Sequence, residues 1–325
     1  MSRPAVTTEL ATAIIAGGLA FEREVSLRSG RRIADALRHA GYLAPVLDTD
    51  AALIDRLIEA RLDAVFIALH GETGEDGSLR SVLDLLDVPY VGAGAQSCRV
   101  AWDKPNAKAA VRAAGMRTPD WVALPESTFR ELGAQLVLGR IVARLGLPLM
   151  VKPAQGGSAL GAQRVDSVED LPAAMVGCFA YGGTALIEQY VDGVELAISV
   201  LDRADRPQAL PAVEIEPASG VFDYAARYTA GMTTYHTPAR LSPDTLTRAA
   251  HLAERAHQIL GLRDLSRTDA IITPDGEAHF LEVNVSPGMT ETSLFPMAVA
   301  AAGLDLGGTC VSLLRRAAER SAGAG

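Results

Sequence analysis

Apolar runs about one strand long alternate with helically spaced apolar residues in the first hundred residues. The run Asp63–Leu69 is almost entirely apolar, which is typical of a strand buried on both faces of a parallel sheet. A similar run, Thr12–Ala16, ends at Gly17-Gly18, where a turn is expected. The remaining elements predicted here are helices over 28–39 and 79–86 and a strand over 88–91. This pattern predicts a parallel α/β domain over residues 1–103.

The hydrophobic pattern changes near Trp102, where an alanine-rich helix begins and a domain boundary is expected. The strands predicted beyond it cover 121–124, 147–152, 184–191 and 194–200. Asp192 and Gly193 separate the last two strands, and this dipeptide favours a two-residue hairpin turn. Ser242 and Gly261 bracket a predicted helix, because serine suits the start of a helix and glycine suits its end.

A strand–turn–strand pattern near the end of the chain has its turn at Pro274-Asp275-Gly276. Asp269 precedes this turn and Glu282 and Asn284 follow it, so a hairpin would bring the three side chains together. Glu282 and Asn284 are two residues apart and therefore project from the same face of a strand. Oxygen ligands without histidine or cysteine favour Mg²⁺ or Mn²⁺. The alternative is that these polar side chains line a solvated sheet edge.

Two glycine-containing segments favour a bound polyphosphate. Pro287 and Gly288 would end the last strand and expose backbone N–H groups beside the carboxylates. Lys152 ends a strand and precedes the loop Pro153–Gly161, in which Ser158 and three glycines allow N–H groups to approach an anion. The order differs from a Walker A loop, in which the lysine follows the glycines. A plain hairpin turn is the alternative for this segment.

Polar loops also follow the two strands predicted in the first domain. Glu22 lies beyond the strand 12–16, and the loop His70–Gly77 lies beyond the strand 63–69. Open α/β sheets bind ligands at the carboxyl ends of their strands, so both loops are candidate binding loops. The alternatives are a helix-terminal charge for Glu22 and a structural role for His70. The G-x-G-x-x-G order is absent here, which argues against NAD.

Charge and cysteine usage narrow the class of protein. A formal charge of −9 and a pI near 5.2 disfavour nucleic-acid binding, which needs a basic face. Cys98, Cys178 and Cys310 are widely spaced, so neither a disulfide nor a zinc site is expected, and a cytoplasmic location fits best. No apolar run approaches membrane-spanning length and the first residues lack a signal-type core, so neither export nor membrane insertion is expected.

Several motifs occur together in one order between Ala13 and about Leu314. They are Gly17-Gly18 with Glu22–Leu27, His70-Gly71 with Gly74–Gly77, Asp103-Lys104, Val151–Pro153 with Gly157-Ser158, Ile187-Glu188, Tyr224–Tyr228 and Glu282–Thr290. In this combination the chain resembles the D-alanine–D-alanine ligases of the ATP-grasp superfamily. The resemblance implies an α/β fold of mixed α+β character with three subdomains, over 1–103, 104–187 and 188–325, and ATP held between the second and third.

The resemblance also implies an activity. The enzyme would use ATP to join two D-alanines through an acylphosphate, for peptidoglycan precursor synthesis, and a homodimer is expected. A related ligase acting on other amino acids in antibiotic biosynthesis or resistance would share the nucleotide half of the site. A non-catalytic nucleotide-binding regulator of the same fold is a more distant alternative, because the metal ligands and Ser158 are all present.

Individual roles follow from the same resemblance. The nucleotide would contact Lys104, Lys152, Glu188, Gln189, Tyr190, Val191, Glu195 and Arg227. Two Mg²⁺ (or Mn²⁺) ions would bind Asp269, Glu282 and Asn284. The catalytic residues would be Glu22, Ser158, Tyr228, Arg267 and Gly288, and the substrates would also meet Val25, His70, Ser293 and Leu294. Arg227 stands where relatives usually have lysine, so it keeps the charge but changes its shape.

Tyr228 bears on the second substrate. The resemblance implies that its hydroxyl joins Glu22 and Ser158 in one hydrogen-bonded network. A tyrosine hydroxyl is neutral at pH 7 and does not repel an incoming ammonium, whereas a histidine in its place could. We therefore expect D-alanine rather than D-lactate as acceptor, and a dipeptide as product. His236, eight residues later, is interpreted as a surface residue.

Overall fold

The computed structural model describes residues 10–203, 206–218, 220–222, 226–227, 229 and 231–322. Its strands are β1 (Thr12–Ala16), β2 (Val46–Asp48), β3 (Ala64–Ile67), β4 (Trp121–Pro125), β5 (Leu149–Pro153), β6 (Gln163–Val165), β7 (Thr184–Gln189), β8 (Val194–Arg203), β9 (Arg206–Ala209), β10 (Val213–Pro217), β11 (Thr233–His236), β12 (Leu265–Ile272) and β13 (Ala278–Asn284). Its helices are α1 (Arg23–His39), α2 (Leu53–Ala60), α3 (Glu72–Glu75), α4 (Ser78–Leu85), α5 (Ala95–Trp102), α6 (Lys104–Ala113), α7 (Glu126–Leu132), α8 (Ala134–Leu145), α9 (Leu171–Phe179), α10 (Pro243–Ile259), α11 (Leu294–Ala301) and α12 (Leu306–Ala322).

The strands form three sheets. The first is parallel, in the order β2-β1-β3, and the second is antiparallel, in the order β4-β7-β5-β6. The third is antiparallel, in the order β11-β10-β8-β12-β13, with β9 paired to β8. The mixed α/β class predicted from the sequence is confirmed, including its parallel N-terminal sheet.

Side-chain alternation explains why β1 and β3 are apolar throughout. Ile14 and Phe66 pack in one core with residues of α1 and α12, whereas Ile15 and Val65 pack in another with residues of α2 and α4. Successive residues of a strand point to opposite faces, and helices cover both faces of this sheet. A continuous apolar run is therefore what the position of each strand requires.

Helix α1 begins at Arg23, five residues before the predicted start at Arg28. The apolar pattern missed its first turns because their buried side chains are serines. Ser26 Oγ accepts a hydrogen bond from Gly17 N at 2.9 Å and donates one to Ala68 O at 2.8 Å, while Ser29 is also buried. Glu22 is the N-cap residue of this helix and ends the turn that follows β1.

Two other predictions of local structure need correction in the N-terminal domain. The polar segment 70–77 contains the short helix α3 and is not purely a loop. The predicted strand over 88–91 makes a single bridge, between Tyr90 and Val65, and does not extend the sheet further.

The hairpin predicted at Asp192-Gly193 is wrong. Strand β7 lies between β4 and β5, so both of its edges are already paired, and β8 belongs to the third sheet. Asp192-Gly193 instead connects the second sheet to the third. The backbone of Gly193 packs closely against β12, since an added Cβ would lie 2.2 Å from Ile272 O. The need for glycine here therefore comes from a close backbone approach.

Two helices pack against a predicted domain other than the one to which their residues were assigned. Ala107 and Val111 of α6 are buried with Ala253 and Phe280 against the third sheet. Leu313 of α12 packs in the core that also contains residues of the first sheet. Helix α6, at the start of the predicted second segment, and α12, at the end of the third, thus pack against neighbouring parts of the fold. The predicted domain boundaries stay a prediction.

A buried ion-pair cluster anchors α12. The carboxylate of Asp264 is fully buried and accepts hydrogen bonds from Arg320 Nη1 and Nη2, each at 2.7 Å, and from Gly92 N at 2.8 Å. Arg316 Nε lies 3.9 Å from the same carboxylate. One side chain thus holds the last helix, the start of β12 and the N-terminal domain together.

We expect Asp264→Asn to lower the free energy of unfolding by about 2–3 kcal/mol, because it removes the charge of the fully buried acceptor from the half-buried guanidinium groups of Arg316 and Arg320. Asparagine tolerates the positive φ of 66° at this position, so the change tests charge and not backbone strain. Urea unfolding followed by circular dichroism measures the difference. Glu319→Gln, at an exposed position on α12, is the control and should change stability by less than about 0.5 kcal/mol. A similarly small loss in Asp264→Asn would contradict the assignment.

Among the described residues, no single helix is long and apolar enough to cross a membrane. One bent pair, Leu294–Ala301 with Leu306–Arg320 at 104°, passes by length and composition only.

Candidate functional site

The residues singled out in the sequence divide between two adjoining cavities. The larger has a volume of about 560 Å³ and lies between the second and third sheets. It is lined by Lys104, Lys152, Glu188, Gln189, Tyr190, Val191, Glu195, Arg227, Asp269 and Glu282. The smaller, of about 140 Å³, is lined by Glu22, Val25, His70, Ser158, Arg267, Asn284, Gly288, Ser293 and Leu294. Lys104, Arg227 and Glu282 border both, so the two cavities form one continuous site.

The hairpin of β12 and β13 carries the predicted oxygen ligands. Asp269 lies directly opposite Glu282, and Arg267 lies opposite Asn284, in the antiparallel register. The predicted approach of Asp269 to Glu282 is therefore confirmed. A register shift after Asp269 marks an irregularity in the ladder at this point.

Each of these oxygen groups also has a partner within the protein. The guanidinium of Arg267 donates to both oxygens of Asp269, at 2.7 and 2.8 Å. Asn284 Oδ1 accepts a hydrogen bond from Ser286 N at 2.8 Å. A carboxylate oxygen has further lone pairs, and two carboxylates with one amide oxygen form a donor set that suits Mg²⁺ or Mn²⁺. The residues present therefore fit the predicted ions.

Glu282 lies in a strongly positive environment. Burial acts to raise its pKa, but the surrounding cations lower the pKa to about 2, so the side chain is a carboxylate at neutral pH. The cations responsible are Lys104, Lys152, Arg227 and Arg267. Lys104 Nζ is 3.4 Å from Glu282 Oε2. This concentration of positive charge in a cavity favours a polyanionic ligand.

The glycine-rich loop connects the two cavities. Its backbone is held by α6, since Lys104 Nζ donates to Gly156 O at 2.6 Å. Ser158 has a φ of 56°, an unusual value for a residue other than glycine and one that often marks functional loops. Ser158 Oγ donates a hydrogen bond of 3.2 Å to Glu22 Oε1, from which it is 136 residues distant in sequence. The predicted pairing of Ser158 with Glu22 is present; Tyr228, the third predicted member, lies outside the described residues.

Glu188 has a different environment from the one its predicted adenine contact suggests. Both carboxylate oxygens are taken by lysines, with Lys152 Nζ 2.6 Å from Oε1 and Lys108 Nζ 2.6 Å from Oε2. Sequence reasoning missed Lys108. Its spacing of four residues from Lys104 places the two lysines on one face of a helix, a pattern that could have indicated it.

The smaller cavity contains buried groups with shifted pKa values. His70 is hydrogen-bonded to Ser29, with Nε2 and Oγ 3.1 Å apart, and burial lowers its pKa to about 4, so the imidazole is neutral near pH 7. Glu75, which the sequence reasoning did not single out, accepts a hydrogen bond from Gly71 N at 3.0 Å. Burial raises the pKa of Glu75 to about 7. The segment His70–Gly77 therefore brings no full positive charge to this cavity.

The segment after β13 forms one wall of the smaller cavity. Ser293 is the N-cap residue of α11, and its Oγ accepts a hydrogen bond from Thr290 N at 2.9 Å. Gly288 approaches this residue closely, because an added Cβ would be 2.7 Å from Ser293 Oγ. Arg267 is buried opposite, and burial is more than offset by Asp269, which raises the pKa of the guanidinium. Arg267 is thus a permanent cation.

Phe222 and Arg227 line the larger cavity on one side. Phe222 is buried and stacks edge-on with Tyr235 at a centroid distance of 6.3 Å, while the Arg227 guanidinium lies 4.3 Å from the Phe222 ring centroid. Ala226 is buried as well, and Tyr224 lies outside the described residues. Burial raises the pKa of Glu195, which lines the cavity opposite Arg227, to about 7.

His236 is half-buried in β11 and is more than a simple surface residue. Its Nε2 lies 2.8 Å from Glu216 Oε2, and Arg240 contacts both Glu214 and Glu216. Three of these side chains, Glu214, Glu216 and His236, are close enough to share a cation, but Arg240 already supplies positive charge to both carboxylates. This network ties β10 to β11 at the edge of the larger cavity.

The fold and the site together define an ATP-grasp ligase, in which two antiparallel sheets enclose a large cavity that adjoins a smaller one. Residues 110–315 match the family model for the D-ala D-ala ligase C-terminus, and residues 53–93 match that for the N-terminus. A D-alanine--D-alanine ligase of Nitrosomonas europaea is 41% identical over 308 residues, which cover 94% of this chain and 97% of that protein. The chain belongs to the D-alanine–D-alanine ligase family.

Solved structures agree with this assignment. A D-alanine--D-alanine ligase from Bacillus anthracis complexed with ATP aligns with a TM-score of 0.78 at 26% identity, over 97% of this chain and 100% of that chain. The VanG D-Ala:D-Ser ligase from Enterococcus faecalis aligns with a TM-score of 0.78 at 27% identity, over 93% of this chain and 97% of that chain. Recognition of the family and of its fold from the sequence motifs is therefore confirmed.

Proposed function

We propose that the protein uses ATP to join two D-alanines into D-alanyl-D-alanine through an acylphosphate, as a step in peptidoglycan precursor synthesis. The observation that carries the proposal is the hydrogen bond from Ser158 to Glu22. It connects the glycine-rich loop of the nucleotide cavity to a carboxylate of the amino-acid cavity. A ligase needs this connection, because the phosphoryl donor and the acceptor carboxylate must be held in contact.

The nucleotide would lie in the larger cavity, with its phosphates toward Lys104, Lys152 and Arg227. Backbone and side-chain groups of residues 189–191 would contact the base, and Glu195 the ribose. Asp269, Glu282 and Asn284 would hold two Mg²⁺ or Mn²⁺ ions, which offset charge on the transferring phosphoryl oxygens when bound. The cations around Glu282 attract the polyphosphate even before catalysis begins.

The first D-alanine would lie in the smaller cavity. Its ammonium would pair with Glu22, and the rest of the molecule would contact Val25 and His70. Its carboxylate oxygen attacks the γ-phosphorus of ATP, forming a P–O bond as the bond to ADP breaks. The neutral state of His70 near pH 7 suits this arrangement, because a cationic imidazole would repel the substrate ammonium. Ser158 keeps the Glu22 carboxylate aligned.

The second amino acid would lie against Ser293 and Leu294. Its neutral amine attacks the acylphosphate carbonyl, and inorganic phosphate leaves as the peptide bond forms. Arg267 and the Gly288 N–H would stabilise the oxyanion that develops on the carbonyl oxygen. Arg267 suits this role because Asp269 fixes the guanidinium at two points.

A ligase that accepts another second amino acid is the second candidate. The similarity to the VanG D-Ala:D-Ser ligase favours it, since the fold is shared over nearly all of both chains. A phosphate-release screen over D- and L-amino acids, with ATP and Mg²⁺, separates the candidates. We expect D-alanine alone to support the highest rate; stimulation that requires a second, different amino acid would favour the alternative. ATP turnover that ignores every amino acid would overturn both.

We expect D-alanine to be strongly preferred over D-lactate as acceptor near pH 7, because the hydroxyl of Tyr228, which the family resemblance joins to Glu22 and Ser158, carries no positive charge. Competition between the two acceptors, with products separated by mass spectrometry, measures the ratio of dipeptide to depsipeptide. A predominance of the ester would show that this interpretation of Tyr228 is wrong.

Membership of the family is also the basis for expecting a cytoplasmic homodimer. Light scattering of the purified protein measures its molar mass and so tests the homodimer.

A further inference from the structure

The lysines of this protein are confined to one place. Of its 30 lysines and arginines only three are lysines, at positions 104, 108 and 152. Lys104 and Lys152 line the nucleotide cavity, and Lys108 lies one helical turn beyond Lys104 and contacts the same carboxylate as Lys152. Arginines also line the two cavities, among them Arg227 and Arg267, but the compact ammonium group of lysine occurs in this protein only here.

Lys108 is fully enclosed. Its side chain has 0% exposure, its Nζ is 2.6 Å from Glu188 Oε2, and the ammonium lies 5.1 Å from the centroid of the Trp121 ring. Burial lowers its pKa to about 8, opposed by the charge of Glu188. A buried ion pair seldom stabilises a fold more than apolar side chains of the same size would. Stability alone is therefore a weak reason for a lysine at this position.

The charges of the three side chains suggest a better reason. Burial acts to raise the pKa of Glu188, but Lys152 and Lys108 more than offset it, so Glu188 is a carboxylate between two ammonium groups with a net charge of +1. Without Lys108, Glu188 would neutralise Lys152 by itself. The cavity would then keep the Lys152 side chain but lose its net positive charge.

We propose that Lys108 is a positioning residue for the nucleotide. By binding one oxygen of Glu188 it offsets the charge of this carboxylate, so that Lys152, which pairs with the other oxygen, leaves the cavity with a net positive charge to meet phosphate. The inference rests on the proposed function, because it assumes that the larger cavity binds ATP. Lys108 would not contact the nucleotide itself but would affect its binding through Glu188 and Lys152.

Three variants test the proposal: Lys108→Met, Glu188→Gln and the double variant. We expect Lys108→Met to weaken binding of a non-hydrolysable ATP analogue, measured by calorimetry with Mg²⁺, on the order of tenfold. The KM for ATP should rise in parallel while the KM for D-alanine stays unchanged. In the double variant Glu188 no longer carries a charge that can neutralise Lys152, so the analogue should bind at least about threefold more tightly than it binds to Lys108→Met.

Recovery in the double variant is the decisive result, because a purely structural role of Lys108 does not predict it. A double variant that binds no better than Lys108→Met, or a Lys108→Met enzyme whose two KM values rise together, would overturn the proposal. If Lys108→Met does not fold, the double variant carries the test alone: near-normal affinity supports the proposal, and a tenfold loss overturns it. Glu188→Gln completes the cycle.

Arg112→Met is the matched control. Arg112 lies one turn further along α6 and its guanidinium is 4.1 Å from the Trp121 ring centroid, but it pairs with Asp120 instead of Glu188. Its removal should leave affinity for the ATP analogue unchanged. Failure of the wild-type protein to bind the analogue would overturn the proposed function itself, whereas failure of the recovery alone would overturn only the role of Lys108.

Discussion

Replacing Glu282 with glutamine is expected to lower the rate of phosphate release by about a thousandfold while the fold is retained. The proposed ions supply several kcal/mol of charge stabilisation to phosphoryl transfer, and a neutral amide is a much weaker ligand than a carboxylate for a hard cation. Glu282 also lies in the field of four cations, so its charge affects both the proposed ions and the phosphates.

The Mg²⁺ dependence of the rate separates these two effects. Loss of a ligand should raise the Mg²⁺ concentration needed for half-maximal activity, whereas loss of the Lys104 contact alone should leave it unchanged. Circular dichroism checks the fold. Glu277→Gln is the control, because Glu277 precedes the same strand and pairs with Arg117 away from the cavities. A Glu282→Gln enzyme with normal turnover at modest Mg²⁺ would refute the ligand assignment.

Replacing Arg267 with lysine should lower the rate of dipeptide formation by about 10²–10³-fold, the usual cost of losing one donor to an oxyanion. Lysine keeps the positive charge beside Asp269 but lacks the planar fork, which donates to both Asp269 oxygens and has further N–H groups for the substrate. The loss should fall on the second chemical step, in which the carbonyl oxygen becomes negative.

Isotope exchange tests which step is affected. Formation of the acylphosphate is reversible, so bridging and non-bridging oxygens of ATP exchange when only the first step operates. We expect Arg267→Lys to retain this exchange with D-alanine while dipeptide formation falls. An equal loss in both measurements would place Arg267 in the first step. Arg263→Lys, at a position whose guanidinium donates to Gly92 O outside the cavities, should change neither.

Local sequence patterns were most informative where a segment forms its structure with its own neighbours. The hairpin of β12 and β13 needs only its turn and the alternation of its strands, so the approach of Asp269 to Glu282 could be predicted. The pattern failed at Asp192-Gly193, where the same turn residues serve a crossing between sheets. Whether two adjacent strands pair depends on which other strands occupy their edges, and that is a property of the whole fold.

The N-terminal domain shows a second limit. The apolar runs of β1 and β3 predicted a buried parallel sheet, because burial on both faces leaves no polar positions. The start of α1 was missed because Ser26 and Ser29 are buried through hydrogen bonds that long-range contacts provide. A buried polar side chain whose hydrogen-bond partner is distant in sequence does not appear in the periodic pattern of apolar residues.

The sequence by itself determined the family, the residue types of the site and their order, since short motifs depend on local chemistry. The family resemblance also led us to expect Ser158 near Glu22, and this contact is present. Only the tertiary structure decided that Lys108 and Lys152 both pair with Glu188. Lys152 and Glu188 lie on the neighbouring strands β5 and β7 of one sheet, and Lys108 reaches the same carboxylate from α6. Strand pairing and helix packing between segments far apart along the chain bring these groups together, and their charges depend on burial that no local pattern records.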